Sequence, residues 1–201
     1  MRYTLKDGKT FVRAARKAIE FYLKKGNIVY PEEIKKYNEK VGVFVTLRTY
    51  PKKELRGCIG FPRPVYPLWK SLVLSAISAA TEDPRFPPVK IDEMNKIIIE
   101  INILTEPQLI EVEDPSEYPE KIKIGKDGLI IEYGPYSGLL LPEVPVEENW
   151  DEITFLSYTC LKAGLPPDCW IKLPVKIYKF QSVIFREKEP NGEVEIVDLT
   201  K

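Results

Sequence analysis

The sequence contains no histidine in its 201 residues. That absence excludes catalysis by Ser-His-Asp or Cys-His arrangements and any zinc or iron site built from imidazole ligands. Any acid–base chemistry must therefore use Asp, Glu, Lys, Tyr or Cys side chains. A carboxylate-bound magnesium ion is not excluded by this composition, but the sequence predicts no metal site and no cofactor.

A net charge is also lacking, because 30 Lys and Arg residues balance 30 Asp and Glu residues. A nucleic-acid-binding protein usually shows a basic excess or a basic stripe. The local cluster of Lys121, Lys123 and Lys126 alternates with apolar residues, which is typical of a solvated strand face. We therefore expect no binding to nucleic acid.

Long apolar runs are absent as well. The longest candidate, LWKSLVLSAISAA at 68–80, contains Lys70 and three serines and is too short to span a bilayer. Charged residues such as Arg2 and Lys6 interrupt the apolar residues after Met1, so no signal segment is predicted. We expect a cytoplasmic protein that does not enter a membrane.

Cysteine is scarce, and Cys58, Cys160 and Cys169 form no C-x-x-C pair and no zinc-binding spacing. The high charge content, the 18 prolines and only two glutamines are typical of thermophile proteins. Intracellular disulfides are less exceptional in such proteins. Cys160 and Cys169 could come close in space, but the sequence does not favour a bond between them.

The elements that are present follow a repeated plan. Helical spacing of apolar residues predicts a first helix over 7–27, with Gly26 at its C-terminal cap. The plan of hairpin, helix and strand pair then occurs twice, over about 41–112 and about 122–188. Its members are a hairpin over 41–60, a helix over 68–80, strands over 96–112, a hairpin over 122–134, a strand over 137–144, a helix over 150–165 and a strand pair over 172–188.

This order of elements predicts an α+β fold with a mostly antiparallel sheet flanked by helices. If the two degenerate repeats share that sheet, we expect it to curl towards a barrel. No Gly/Ser-rich linker separates the halves. The prediction is therefore a single domain over 1–201.

The stretch ELRGCIG at 54–60 is the first candidate site. Side chains alternate along a strand, so Arg56 and Cys58 share one face and Gly57 lies on the other. A neighbouring arginine can lower the pKa of a cysteine thiol from its usual value of about 8.5. Cys58 is thus either a nucleophile or a packed, pocket-lining residue, and Arg56 on a sheet face requires a carboxylate or phosphate partner.

Two further stretches carry candidate side chains. In ATEDPRFPPV at 80–89, Asp83 and Arg85 flank Pro84; their charges either pair with each other in a rigid turn or form a pocket wall. In LLLPEVPVEENWDE at 139–152, Glu143 follows an apolar strand and is the best carboxylate to oppose Arg56. Asp151, at a helix start, is interpreted as a capping residue.

ELRGCIG, AATEDPRFPPV and GLLLPEVPVEENWDEITFLSYTCLKAGLPPDCW resemble the signature of the AMMECR family, named for a human chromosomal region linked to Alport syndrome, midface hypoplasia and elliptocytosis. The resemblance covers nearly the whole chain and implies an α+β fold with a duplicated β-α-β plan. It implies no established reaction. Prokaryotic members resemble components found beside, or fused to, Memo-like and radical-SAM proteins. Glutamine is common in the family at the position of Glu143, which implies a hydrogen-bonding role there rather than a catalytic one.

Three hypotheses follow. In the first, a pocket around the LRGCIG strand binds a small anionic ligand or a partner's acidic segment through Arg56, Gly57, Asp83, Arg85 and Glu143. In the second, Cys58 is the covalent nucleophile or redox thiol of an enzyme. In the third, the chain is a scaffold for a Memo-like or radical-SAM partner.

Overall fold

The structure is a computed structural model that describes residues 3–199. These residues divide into two compact units, one comprising residues 3–104 and 183–197 and the other residues 105–182 and 198–199. The chain therefore leaves the first unit, builds the second, and returns. The expectation of a single domain over 1–201 stays a prediction.

The first unit packs two long helices on a sheet. Its elements are α1 (Leu5–Lys25), β1 (Val43–Thr49), β2 (Leu55–Phe61), α2 (Leu68–Thr81), β3 (Ile97–Leu104), the C-terminal part of β7 (Lys176–Glu187) and β8 (Val194–Val197), with 3-10 turns at Glu32–Ile34 and Ile91–Lys96. Thr4 and Asp7 form a capping box at the start of α1, and Gly26 ends the helix at a φ of 72°. Pro67 precedes α2.

The sheet of this unit has β2 at one edge, followed by β1, β3 and β7, and β8 also pairs with β7. The β1–β2 and β1–β3 pairings are antiparallel, and Thr46 lies opposite Cys58 on one side and opposite Glu100 on the other. Alternate residues of β1 and β3, including Val45, join the apolar core with α1 and α2.

The second unit has its own apolar core, which includes Leu129, Phe155 and Trp170. Its elements are β4 (Gln108–Leu109), a 3-10 turn (Pro115–Lys121), β5 (Asp127–Tyr133), β6 (Tyr136–Leu140), α3 (Glu143–Glu147), α4 (Glu152–Lys162), α5 (Cys169–Lys172) and the N-terminal part of β7. The pairings of β5 with β6 and β7, and of β4 with β7, are antiparallel. The predicted α+β class with antiparallel strands is confirmed.

Some predicted elements are placed differently. Residues 126–128 do not form a turn between two strands; β5 begins at Asp127, and the hairpin reverses between Tyr133 and Tyr136. The predicted strand pair over 172–188 is one strand of 12 residues. Asp151 does cap α4, since its side chain accepts a hydrogen bond from the Thr154 N–H at 2.8 Å.

A disulfide joins Cys160 on α4 to Cys169 on α5. The sequence did not favour this bond, because nothing in the spacing distinguishes it from two separate buried cysteines. Both residues are fully buried within the core of the second unit. Cys58 is the free cysteine.

Candidate functional site

The LRGCIG strand is β2, and its side chains alternate as the sequence predicts. Gly57 faces α2 so closely that a Cβ atom built on it would lie 2.1 Å from the carbonyl oxygen of Ala79. Cys58 faces the opposite side of the sheet, where the Thr46 hydroxyl donates a hydrogen bond to its Sγ at 3.3 Å. Gly57 therefore brings the strand against the helix, and the chemistry lies with its neighbours.

Because β2 is the edge strand, the outward backbone groups of Cys58 have no strand to pair with. The segment after α2 supplies partners instead: the Cys58 N–H donates to Oδ2 of Asp83 at 2.8 Å, and Nη2 of Arg85 donates to the Cys58 carbonyl at 3.5 Å. Covering an exposed sheet edge in this way blocks unwanted strand pairing. Asp83 and Arg85 are thus brought together with Cys58.

Asp83 and Arg85 also form a bidentate ion pair. Nε of Arg85 lies 3.0 Å from Oδ1 of Asp83, and Nη2 lies 2.7 Å from Oδ2. The hydrogen bonds from the Arg85 guanidinium, together with those from the Cys58 and Arg85 N–H groups, overcome the effect of burial and lower the pKa of Asp83 to about 2. Asp83 is 4% exposed, whereas the Arg85 side chain is 55% exposed.

Arg56 is held by the same segment through different atoms. Its Nε and Nη2 lie 3.2 and 3.4 Å from the carboxylate oxygens of Glu93, and its Nη1 donates to the Pro87 carbonyl at 2.9 Å. Burial raises the pKa of Glu93, but hydrogen bonds from the Lys90 N–H and from Arg56 outweigh it, and the net shift is downward. The carboxylate opposite Arg56 in the first unit is therefore Glu93, which the sequence reasoning missed.

The ring of Phe86 lies near both arginines. Cζ of Arg56 lies 6.0 Å and Cζ of Arg85 lies 5.6 Å from the centre of this ring. Both distances are within the range of cation–π contacts. Arg56, Phe86 and Arg85 together form what we call the arginine clamp.

A row of polar side chains continues from Cys58 across the sheet. Thr46 follows on β1 and Glu100 on β3, and Arg186 on β7 donates from Nε to Oε2 of Glu100. Glu100 is 1% exposed, and its Oε1 has no hydrogen-bond partner among the described residues. The sequence signal for this row was present, since Glu100 and Asn102 alternate within an otherwise apolar strand.

Glu143 lies in the second unit, as the first residue of α3, and is buried. Its predicted opposition to Arg56 stays a prediction. No group of three or more His, Cys, Asp or Glu side chains suited to a metal ion occurs within residues 3–199. Within the same residues, no helix is long and apolar enough to cross a membrane.

The fold and the site define an α+β protein that holds a free thiol and one arginine on the edge strand of an antiparallel sheet, with a second arginine beside them on the segment after α2. The sequence profile of the AMMECR1 family matches residues 12–185. The chain belongs to the AMMECR1 family.

Two archaeal relatives show how closely the family is matched. Protein MJ0810 of Methanocaldococcus jannaschii is 59% identical over 95% of both chains. Protein PH0010 of Pyrococcus horikoshii is 53% identical over 96% of this chain and 97% of its own. A crystal structure of the uncharacterized PH0010 superposes with a TM-score of 0.91 at 52% identity, covering 96% of this chain and 97% of that one.

Proposed function

We propose that the protein binds a small anionic ligand at the arginine clamp, with Arg85 as the principal contact. The observation that supports this is the way Asp83 holds Arg85. The bidentate pair fixes the Nε and Nη2 edge of the guanidinium, and the side chain is nevertheless 55% exposed. Nη1 of Arg85 makes no hydrogen bond to any described residue and presents a fixed cationic donor to a ligand.

Preorganisation is the reason to favour Arg85 over Arg56. A guanidinium that is already held loses little side-chain entropy when it binds a carboxylate or phosphate group. Arg56 has all three of its nitrogen atoms engaged by Glu93 and Pro87. We assign Arg56 to holding the segment after α2 against β2. The exposed part of the Phe86 ring would then lie beside the ligand.

The test is a titration of the isotope-labelled full chain with inorganic phosphate and, separately, with acetate, followed by NMR. We expect saturable shifts of the Arg85 Nε–H and Cys58 N–H signals, because both groups share Asp83. Arg85→Gln abolishes the shift at Cys58. Arg13→Gln, which removes an exposed arginine of α1 in the same unit, leaves it unchanged.

Two outcomes contradict the proposal. One is the absence of a saturable shift with either anion at concentrations of tens of millimolar. The other is a shift at Cys58 that persists in Arg85→Gln. Comparison of the affinities for phosphate and for acetate shows whether the site prefers a tetrahedral phosphate or a planar carboxylate.

A second candidate function is a thiol-dependent enzyme that uses Cys58. The observation that favours it is the Thr46 hydroxyl, which donates to Sγ at 3.3 Å on a partly exposed strand face. Such a bond stabilises a thiolate, the nucleophilic form. Because Cys160 and Cys169 are joined in a disulfide, alkylation of the native protein reports on Cys58 alone.

This candidate predicts that iodoacetamide alkylates Cys58 faster than a model thiol at pH 6–7. Thr46→Val, which keeps the side-chain shape but removes the hydroxyl, should slow the reaction at the same pH. A rate no faster than the model thiol across pH 6–9 rules the activated thiol out. Memo-like and radical-SAM partners stay a prediction from the resemblance.

A further inference from the structure

A groove of about 350 Å³ runs along the outer face of α1 in the first unit. Arg13, Lys17, Phe21 and Lys24 line it from positions that follow one another on a single helix face. Asn191, at a φ of 59° in the turn before β8, forms the opposite wall. We call this feature the α1 groove.

The rim of the α1 groove holds more cations than carboxylates. Arg13 and Lys24 make no ion pair or hydrogen bond with any residue in the range 3–199, and Lys17 approaches Glu33 at 3.7 Å. Glu20 is the carboxylate on the lining, and it lies 3.6 Å from Arg16. The rim therefore carries positive charge that the protein itself does not neutralise.

The floor of the groove is rigid. Arg16 is 5% exposed, its Nε and Nη2 contact the Glu187 carboxylate at 2.9 and 2.6 Å, and its Nη1 donates to the Met94 carbonyl at 3.0 Å. Glu187 neutralises this guanidinium. An anion in the groove is consequently attracted by the rim residues. The Arg16 side chain on the floor does not need to change its contacts when the anion binds.

Length and shape narrow the class of ligand. Lys24 follows Arg13 by eleven positions, which is about 16 Å along a helix axis and longer than a single phosphate group. Phe21 lies between them and is 40% exposed, which offers an aromatic surface for stacking. The volume falls in the range of small-molecule sites, about 300–1,000 Å³.

We propose that the α1 groove binds an extended phosphate ester that carries a flat ring. The phosphates lie between Arg13 and Lys17, the ring stacks on Phe21, and Lys24 and the Asn191 amide contact the far end. This site is separate in sequence from the arginine clamp, and neither proposal depends on the other.

The experiment is calorimetric titration of the full chain with ATP, pyrophosphate and adenosine at 0.15 M salt. We expect ATP to bind, and either Arg13→Gln or Lys24→Gln to weaken binding about tenfold, the scale of one charge-assisted hydrogen bond. Phe21→Ala should weaken ATP binding and leave pyrophosphate binding unchanged. Arg85→Gln should leave unchanged the binding that Arg13→Gln and Lys24→Gln weaken.

Lys25→Gln is the matched control, since Lys25 is exposed on the same helix turn as Lys24 but does not line the groove. It should bind ATP as the unaltered chain does. Equal weakening by Lys25→Gln and Lys24→Gln would mean diffuse attraction to a basic surface and would overturn the proposal. Failure of ATP to saturate the protein would overturn it too, whatever the result at the arginine clamp.

Discussion

Both outward backbone groups of Cys58 meet side chains from the segment that follows α2. Asp83 accepts from its N–H and Arg85 donates to its carbonyl. Several N–H hydrogen bonds to a nearly buried carboxylate favour its ionised form. At the scale of the residue, the ionised Asp83 carboxylate therefore holds both the edge strand, through the Cys58 N–H, and the arginine clamp, through Arg85.

We predict that Asp83→Asn lowers the free energy of unfolding by about 2 kcal/mol at pH 7, from the lowered pKa of Asp83. The folded pKa of about 2 lies below the unfolded value of 3.8. The carboxylate's stabilisation is therefore complete above the unfolded value and disappears as the pH falls from about 4 to about 2. Denaturant titrations of both proteins between pH 7 and pH 3 measure this difference.

Asp92→Asn is the control, because Asp92 is an exposed carboxylate on the neighbouring 3-10 turn. Its substitution should change stability little at any pH. A difference between Asp83→Asn and the unaltered chain that stays constant from pH 7 to pH 3 would contradict the assignment. It would mean that shape, rather than charge, matters at position 83.

The sequence predicted some of these residues and missed others for a definite reason. Cys58, Asp83 and Arg85 were found because strand alternation and a proline-rich turn mark them locally. Glu93 and Glu100 were missed because their importance depends on partners distant in the chain, Arg56 and Arg186. The local sequence pattern shows that a charged residue occupies an unusual position. It does not show which oppositely charged residue forms an ion pair with it.

At the scale of elements, each unit packs the second strand of a hairpin closely against the end of a later helix, α2 or α4, at a single glycine. Gly57 on β2 lies against Ala79 near the end of α2, and Gly138 on β6 lies against Ala163 at the end of α4, where a built Cβ would be 2.4 Å from the backbone nitrogen. Both glycines are on the second strand of their hairpin. This correspondence supports the predicted internal duplication, which remains a prediction.

Gly57→Ala should lower the free energy of unfolding by about 3 kcal/mol or more, at the upper end of the usual cost of overpacking. The new Cβ would lie 2.1 Å from a backbone oxygen, so strand and helix must separate. Guanidinium denaturation of the full chain measures the loss. The arginine clamp should weaken as well, since it spans β2 and the segment after α2.

Gly26→Ala separates crowding from backbone strain. Its φ is 72°, but no atom lies within 4 Å of a built Cβ, so only the conformational cost of about 1 kcal/mol applies. If Gly57→Ala destabilised the protein no more than Gly26→Ala, the close packing of β2 on α2 would not be the reason for a glycine at position 57.

Element types were easier to predict than their connections. The helices α1, α2 and α4 have clear apolar spacing and recognisable end signals, and the strand over 96–104 was placed within a residue. The 172–188 segment was divided wrongly because its polar residues, such as Gln181, resemble a turn in the sequence. In the structure Gln181 is part of a continuous strand and pairs with Asp127 on β5.

At the scale of the whole molecule, the order of residues along the chain does not reveal how the chain divides into two compact units. The first unit is made from two separate segments, residues 3–104 and 183–197, and no linker composition marks where the chain leaves or returns. Sequence patterns show local periodicity, whereas the membership of a unit depends on long-range packing. The expected cytoplasmic location likewise stays a prediction.

The return of β7 has a consequence for biosynthesis. Phe185 is fully buried against Phe11 and Gly8 of α1, and Glu187 neutralises the buried Arg16. On the ribosome, residues 3–104 emerge before residues 183–197 and lack both partners until those later residues have been translated. Most of the second unit, residues 105–182, is contiguous and precedes residues 183–197. That part is therefore positioned to fold earlier, whereas residues 3–104 wait for residues 183–197 to complete their core.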